Sequence, residues 1–283
     1  MNKNCIIIII VVLVVLVILG IAALCMSGLS REQSVGSEGF EYNHNNIHFI
    51  TYGNKNFEQS KKRIAADAKN TGWFKSITAF GPKDIAPAFS NEFKDILKMK
   101  RGGGYWVWKY YFIPYMLNKI DYGDFLIYVD SGCTVNIDGQ EKLQEWFELI
   151  KNSEHKIISF QYNQYFENQW TTKEIFDIFG VDDNDDIKES GQYMGGILIM
   201  QKHDSVINLF DKCLESIRKD PLIITDYYND NQPFDGFKES RHDQSILSVA
   251  RKKYGSIVIP NEIDTESTIG HKHIPFWASR RWG

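Results

Sequence analysis

The sequence predicts an α/β protein: a mostly parallel sheet with flanking helices, preceded by one N-terminal transmembrane helix. Three observations carry this. Short apolar and β-branched runs alternate with longer amphipathic stretches, as in a sheet whose strands are joined by helices. The run Phe125, Leu126, Ile127, Tyr128, Val129 is continuously apolar, as a strand covered on both faces must be. Asn4 to Ser30 contains no charged residue.

The N-terminal run is the first element. Ile6 to Ala23 is long enough to cross about 30 Å of hydrocarbon as a helix. A cleaved signal peptide has a shorter apolar stretch and a small-residue cleavage site, so an uncleaved anchor over 1–30 is the preferred reading. Lys3 precedes it and Arg31 follows, with Glu32, Glu38 and Glu41 beyond. The positive-inside rule then places the N-terminus in the cytosol and the body outside it, as a single-pass type II membrane protein facing the ER or Golgi lumen if eukaryotic or viral. Residues 31–46, rich in Ser, Gly, Glu and Asn, read as a stem, and 47–283 as the folded domain.

Ile47 to Thr51 is the first strand, ended by Tyr52-Gly53. Phe57 to Ala68 reads as a helix and Phe74 to Ala79 as a strand. Ile85 to Lys100 is helical or irregular. Arg101 to Lys109 is a glycine- and aromatic-rich loop, although the alternation of Tyr105, Trp106 and Trp108 also fits an edge strand. Tyr110 to Lys119 is a helix, and Asp124 to Val135 a strand interrupted by the Ser131-Gly132 turn. Gln140 to Lys151, Lys173 to Phe179, Val206 to Arg218 and Asp243 to Lys252 read as helices. Ile157 to Gln161, Gly195 to Met200 and Ser256 to Pro260 read as strands.

Composition narrows the function. Hydrophobic content of 43% and charged content of 24% describe a globular body. A net charge of -4 argues against nucleic acid as a partner. Of the four cysteines, Cys5 and Cys25 lie in or beside the N-terminal run, and no zinc-like spacing occurs. Cys133 and Cys213 can pair only if the body is lumenal and the fold brings them together.

Asp130 closes the apolar strand, and open α/β sheets bind ligands at that end. Arg101 and Lys109 lie upstream, and Gly102, Gly103 and Gly104 allow close approach of the loop to a ligand. Arg241-His242-Asp243-Gln244-Ser245 opens a helix, where capping alone explains an acid at Asp243. His271 and His273 lie in the tail HKHIPFWASRRWG.

In order, IHFITYGNKNF, RGGGYWVWK, GDFLIYVDSGC, YMGGILIM and HDQSIL resemble glycosyltransferases of the GT-A (Rossmann-like) fold. The order and spacing are similar to the retaining, glycogenin-like and lipopolysaccharide galactosyltransferase group, and to viral and bacterial relatives bearing a GYWxWK motif. The resemblance implies a nucleotide-sugar donor, a glycan or lipid-linked acceptor and a Mn2+ or Mg2+ ion. It implies donor contacts from Thr51, Tyr52, Gly53, Arg101 or Lys109, Asp130, Ser131, Gly132, Gly195 and Gly196. Asp243 and Gln244 would face the reacting sugar, and Asp130 would hold metal with His271 or His273. One departure stands out: the second acid of the DXD motif is Gly132. That departure also supports an alternative, a catalytically silent sugar- or nucleotide-binding membrane protein of the same fold. A phosphotransferase is disfavoured, because no glycine-rich loop ending in Lys-Ser/Thr is present.

Overall fold

The computed structural model describes residues 46–264 and 272–281. The expected membrane anchor, most of the stem, Cys5, Cys25 and His271 lie outside these residues. Among the described residues no helix is long and apolar enough to cross a membrane.

The main sheet has four strands in the order β2–β1–β3–β7. They are β1 (Ile47–Tyr52), β2 (Ser76–Phe80), β3 (Phe125–Val129) and β7 (Ile197–Gln201). β1 runs parallel to β2 and β3, and β7 runs antiparallel to β3 with Ile127 opposite Ile199. Every residue of β1 and β3 is buried, so both faces of the sheet are covered. On one face Leu126, Tyr128, Leu198 and Met200 pack in a core with Phe112, Ile113, Leu209, Phe210, Ile246 and Val249. On the other, Phe125 packs against Phe147 with ring centroids 4.1 Å apart. Strand residues alternate between faces, so helices cover both. Burying a side chain such as Phe125 stabilises the fold by about 1.5–3 kcal/mol.

The helices of seven or more residues are α1 (Glu58–Thr71), α2 (Lys109–Lys119), α3 (Gln140–Lys151), α4 (Lys173–Phe179), α5 (Asp204–Lys219) and α6 (Asp243–Tyr254). A second sheet, in the order β6–β5–β8, comprises β5 (Ile158–Phe166), β6 (Gly191–Tyr193) and β8 (Ile257–Pro260). β4 (Thr134–Val135) and β9 (Phe276–Trp277) form a small antiparallel pair that binds the tail to the segment after β3. At the amino-terminal edge of the main sheet, His48 bridges Ser76 Oγ at 2.6 Å and Asp124 Oδ2 at 3.0 Å, tying three strands.

Four expectations are corrected. The strand expected over Asp124 to Val135 is two, because the chain turns at Asp130, whose carbonyl accepts from Cys133 N–H at 2.9 Å. β5 runs five residues past Gln161, to Phe166, across a register shift in its pairing with β6. Tyr105 and Trp106 are not in a strand: both have positive φ, which no strand allows. Cys133 and Cys213 are both buried free thiols and do not pair.

Candidate functional site

The glycine-rich loop is a left-handed turn. Gly102, Gly103, Gly104, Tyr105 and Trp106 have φ of 58°, 61°, 98°, 49° and 58°. Left-handed backbone costs a non-glycine residue about 1–2 kcal/mol, so three consecutive glycines carry most of the turn without that cost. Added side chains would also collide: a Cβ at Gly103 would lie 2.9 Å from Asn54 Nδ2, and one at Gly104 2.8 Å from Leu97 Cα. Tyr105 and Trp106 are held in place by contacts elsewhere. Tyr105 Oη donates to Asp226 Oδ2 at 2.6 Å, and Trp106 stacks on His242 at 5.5 Å.

Asp226 is the hub of this region. It also accepts from Arg101 Nη1 at 2.8 Å and from Asn229 Nδ2 at 3.1 Å, and it lies 2.9 Å from His242 Nε2. Burial would raise its pKa, but the Tyr105 hydroxyl and His242 hold the carboxyl below its ordinary value. His242 itself has a positive φ of 57° immediately before α6. The hub thus fixes the glycine loop against the start of that helix.

Asp130 sits one residue past β3, its backbone N–H donating to Gly196 O at 2.8 Å. Tyr128 Oη donates to Asp130 Oδ1. A Cβ on Gly196 would lie 2.8 Å from Asp130 Oδ2, so glycine there keeps room for the carboxylate. Lys109 Nζ is 3.7 Å from Asp130 Oδ1, 2.5 Å from Asp243 Oδ2, and donates to Gly195 O at 2.9 Å. Burial would lower the Lys109 pKa, but Asp130 and Asp243 outweigh it and the net direction is up. Burial raises the Asp243 carboxyl to about 6, against the opposing pull of Lys109.

A cavity of about 530 Å³ opens at the carboxyl ends of β1 and β3. Its lining brings together the expected residues Tyr52, Gly53, Asp130, Ser131, Gly132, Gly196 and Gln244. Gln244 is held on both sides: its Oε1 accepts from Gly195 N–H at 3.0 Å, and its Nε2 donates to Gln192 Oε1 at 2.6 Å. Asp243 points elsewhere, into the Lys109 pair, as adjacent residues on a helix must diverge by about 100°.

Other expected residues lie off this lining. Thr51 is buried in β1, and Gly195 packs against Gln244. Arg101 is taken up by Asp226 and by Glu239 at 3.0 Å. Lys109 is only 1% exposed and is committed to its buried partners. His273 is exposed and does not line the cavity.

Several lining residues were not among the expected ones. Lys100, Arg241, Arg280 and Arg281 face the cavity, against two carboxylates, Asp130 and Asp264. The Arg241 guanidinium stacks 3.9 Å over Trp170, and its Nε is buried without a hydrogen-bond partner. Burial lowers the Arg241 pKa, and nearby Arg280 pushes the same way. The tail carries Arg280 and Arg281 into place: Arg281 N–H donates to Gly132 O at 2.7 Å, and Ala278 N–H to Ile263 O at 2.8 Å. Gly139 permits this, since a Cβ there would lie 2.2 Å from Pro275 Cα. The adjacent arginines of SRRW were the one sequence signal for this contribution.

Among the described residues the donor set does not fit the divalent cation that the resemblance implies. Among the described residues no three His, Cys, Asp or Glu side chains are grouped to hold a metal ion. Asp130 has one carboxylate oxygen engaged by Tyr128 and a lysine 3.7 Å away, and position 132 offers no side chain.

No family model and no curated protein matches the sequence. The structure is similar to a glycosyltransferase involved in glycosylation of the major capsid of PBCV-1, at 10% identity and a TM-score of 0.45, over 82% of this chain and 92% of that one. It is similar to mouse xyloside xylosyltransferase 1, at 10% identity and a TM-score of 0.47, over 82% and 96% of the two chains. It is also similar to the galactosyltransferase LgtC, at 13% identity and a TM-score of 0.39, over 81% and 82%.

Proposed function

We propose that the protein is a membrane-anchored glycosyltransferase that moves a hexose from a nucleotide-diphosphate sugar to a glycan or lipid-linked acceptor. The observation that carries this reading is the cavity. It is within the size range of small-molecule sites, lies where open α/β sheets bind ligands, and combines aromatic faces with more cations than acids. Aromatic rings suit a base or sugar face, and an excess of cations suits a diphosphate.

In the reaction, the bond from the anomeric carbon to the diphosphate oxygen breaks, and its electron pair leaves with the nucleoside diphosphate. The acceptor hydroxyl oxygen forms the new bond, and its proton leaves with the departing phosphate. Gln244 is the lining side chain nearest in kind to the expected face of the sugar. Its carbonyl oxygen is already oriented by Gly195 N–H and keeps a second lone pair for developing positive charge. No carboxylate base is required in this scheme, so retention at the anomeric carbon is the expected outcome. In this scheme protein cations, rather than Mn2+ or Mg2+, meet the diphosphate.

The anchor and the type II orientation belong to the same proposal and rest on the uncharged run Asn4 to Ser30. Protease protection of a C-terminal tag in sealed microsomes checks them, and a tag digested without detergent contradicts the orientation. The function is tested by calorimetric titration of the full-length protein with a panel of UDP- and GDP-sugars, followed by NMR of the product. Binding of one donor and a retained anomeric configuration are expected; an inverted product contradicts the scheme for Gln244. The second reading, a silent binding protein, is favoured by Gly132 in place of an acid. It predicts donor binding with no turnover.

A further inference from the structure

We propose that the tail arginines Arg280 and Arg281, together with Arg241, bind the donor diphosphate directly and take the place of the second acid and its metal ion. The inference rests on the glycosyltransferase reading.

The first observation is where the missing acid would have been. A Cβ on Gly132 would lie in ordinary contact with the tail: its nearest neighbours are Arg280 Cα at 3.7 Å and Arg281 O at 3.8 Å. The position that a second DXD acid would occupy therefore borders the backbone that presents the two arginines. The same backbone is tied there, Arg281 N–H donating to Gly132 O at 2.7 Å.

The second observation concerns the charge partners of these cations. Among the described residues no carboxylate lies within ion-pair distance of Lys100, Arg241, Arg280 or Arg281. By contrast Arg101, Lys109 and Arg63, which flank the same region, each have an acid partner. Arg241 adds a buried Nε with no hydrogen-bond partner and a guanidinium whose Cζ lies 3.9 Å over the Trp170 ring. With four cations and two carboxylates facing it, the cavity favours an anion. A guanidinium fork matches two phosphate oxygens, and its charge opposes the charge that grows on the leaving diphosphate.

The third observation is rigidity. The tail does not hang free: β9 pairs with β4, Asn136 Nδ2 donates to Lys272 O at 2.6 Å and to Ile274 O at 2.9 Å, and Thr134 Oγ1 lies 2.7 Å from Ser279 Oγ. Arg280 has a left-handed φ of 48°, a strained conformation for a non-glycine residue that the surrounding bonds hold in place.

The test is titration of the purified full-length protein with UDP and with GDP, each in EDTA and in manganese. Whichever nucleotide binds is expected to do so in EDTA with an affinity within about threefold of that in manganese. Arg280→Ala combined with Arg281→Ala is expected to weaken it by about tenfold or more, the scale of one strong charge-assisted contact. Arg280→Lys combined with Arg281→Lys, which keeps the charge, should recover part of the loss and controls for folding. Binding that requires manganese overturns the inference and leaves the glycosyltransferase reading standing. So does binding in EDTA that the alanine substitutions do not change. No binding of either nucleotide in either condition, with circular dichroism showing folded protein, overturns both.

Discussion

Lys109 Nζ lies 2.5 Å from Asp243 Oδ2, and both side chains are buried. This pair joins the start of α2 to the start of α6 beneath the cavity floor. It also explains why two residues expected to touch ligand do not line the cavity. A buried cation with a buried carboxylate is a unit, and either partner alone is costly. Lys109→Met is therefore expected to destabilise the protein by about 3–5 kcal/mol, read by urea denaturation. Lys109→Met combined with Asp243→Leu should recover much of that loss, since it removes both buried charges. A single substitution costing as little as a surface change contradicts the assignment.

Gln244 separates chemistry from binding. Gln244→Ala should lower turnover by roughly 10- to 1000-fold, about 1.4–4 kcal/mol of transition-state stabilisation, with donor affinity little changed. Gln192→Leu, which removes the partner of its amide nitrogen together with the Gln192 bonds to Glu167 and Trp170 O, should give a smaller loss of turnover in the folded protein. Steady-state kinetics and donor titration on both variants check this. Unchanged turnover in a folded Gln244→Ala protein contradicts it.

The tail depends on Gly139. With Pro275 Cα 2.2 Å from any added Cβ, Gly139→Ala must displace either the turn or the tail. Overpacking of this kind costs about 1–3 kcal/mol. Limited proteolysis is expected to release the C-terminal segment faster from the variant, and nucleotide binding should weaken with it. Equal protection of the tail in both proteins contradicts the docking.

His242 sets a pH dependence. Burial lowers its pKa from the ordinary 6.5, Asp226 opposes this, and Arg101 adds to it. The unfolded chain therefore takes up the proton first as pH falls. The stability it contributes is present above pH 6.5 and is lost as pH falls through the lower folded value. Compared across pH 7.5 to 5, wild type should lose stability relative to His242→Gln as pH drops. Asp243 works in the opposite sense, its contribution being lost as pH rises from 3.8 through about 6, so the comparison must be made between variants and not on wild type alone. A constant difference between the two proteins contradicts the assignment.

The parts of the fold that were legible in the sequence are those with long, unbroken patterns. The run Phe125 to Val129 announced a doubly covered strand, and Asp130 followed from where it stopped. Gln140 to Lys151 and Lys173 to Phe179 showed the helical period and were found at those bounds. The stretch from Arg101 was legible as a loop, and only the edge-strand alternative failed, because alternating aromatics imitate a strand whereas three glycines before them build a left-handed turn. Lys109 was visible as a cation, but its burial depends on Asp243, far away in the chain. Arg280 and Arg281 escaped because a two-residue strand, β9, brings them to the site, and pairing that short leaves no periodicity to read.

Glycosyl transfer at this cavity is tested most directly by turnover. The full-length protein, wild type and Asp130→Asn, is incubated with a panel of UDP- and GDP-sugars, in EDTA and in manganese, and release of nucleoside diphosphate is measured. The expected result is release from at least one donor by wild type, reduced about tenfold or more in Asp130→Asn. Folded wild-type protein that releases nothing from any donor in either condition, or releases as much after Asp130→Asn, contradicts it.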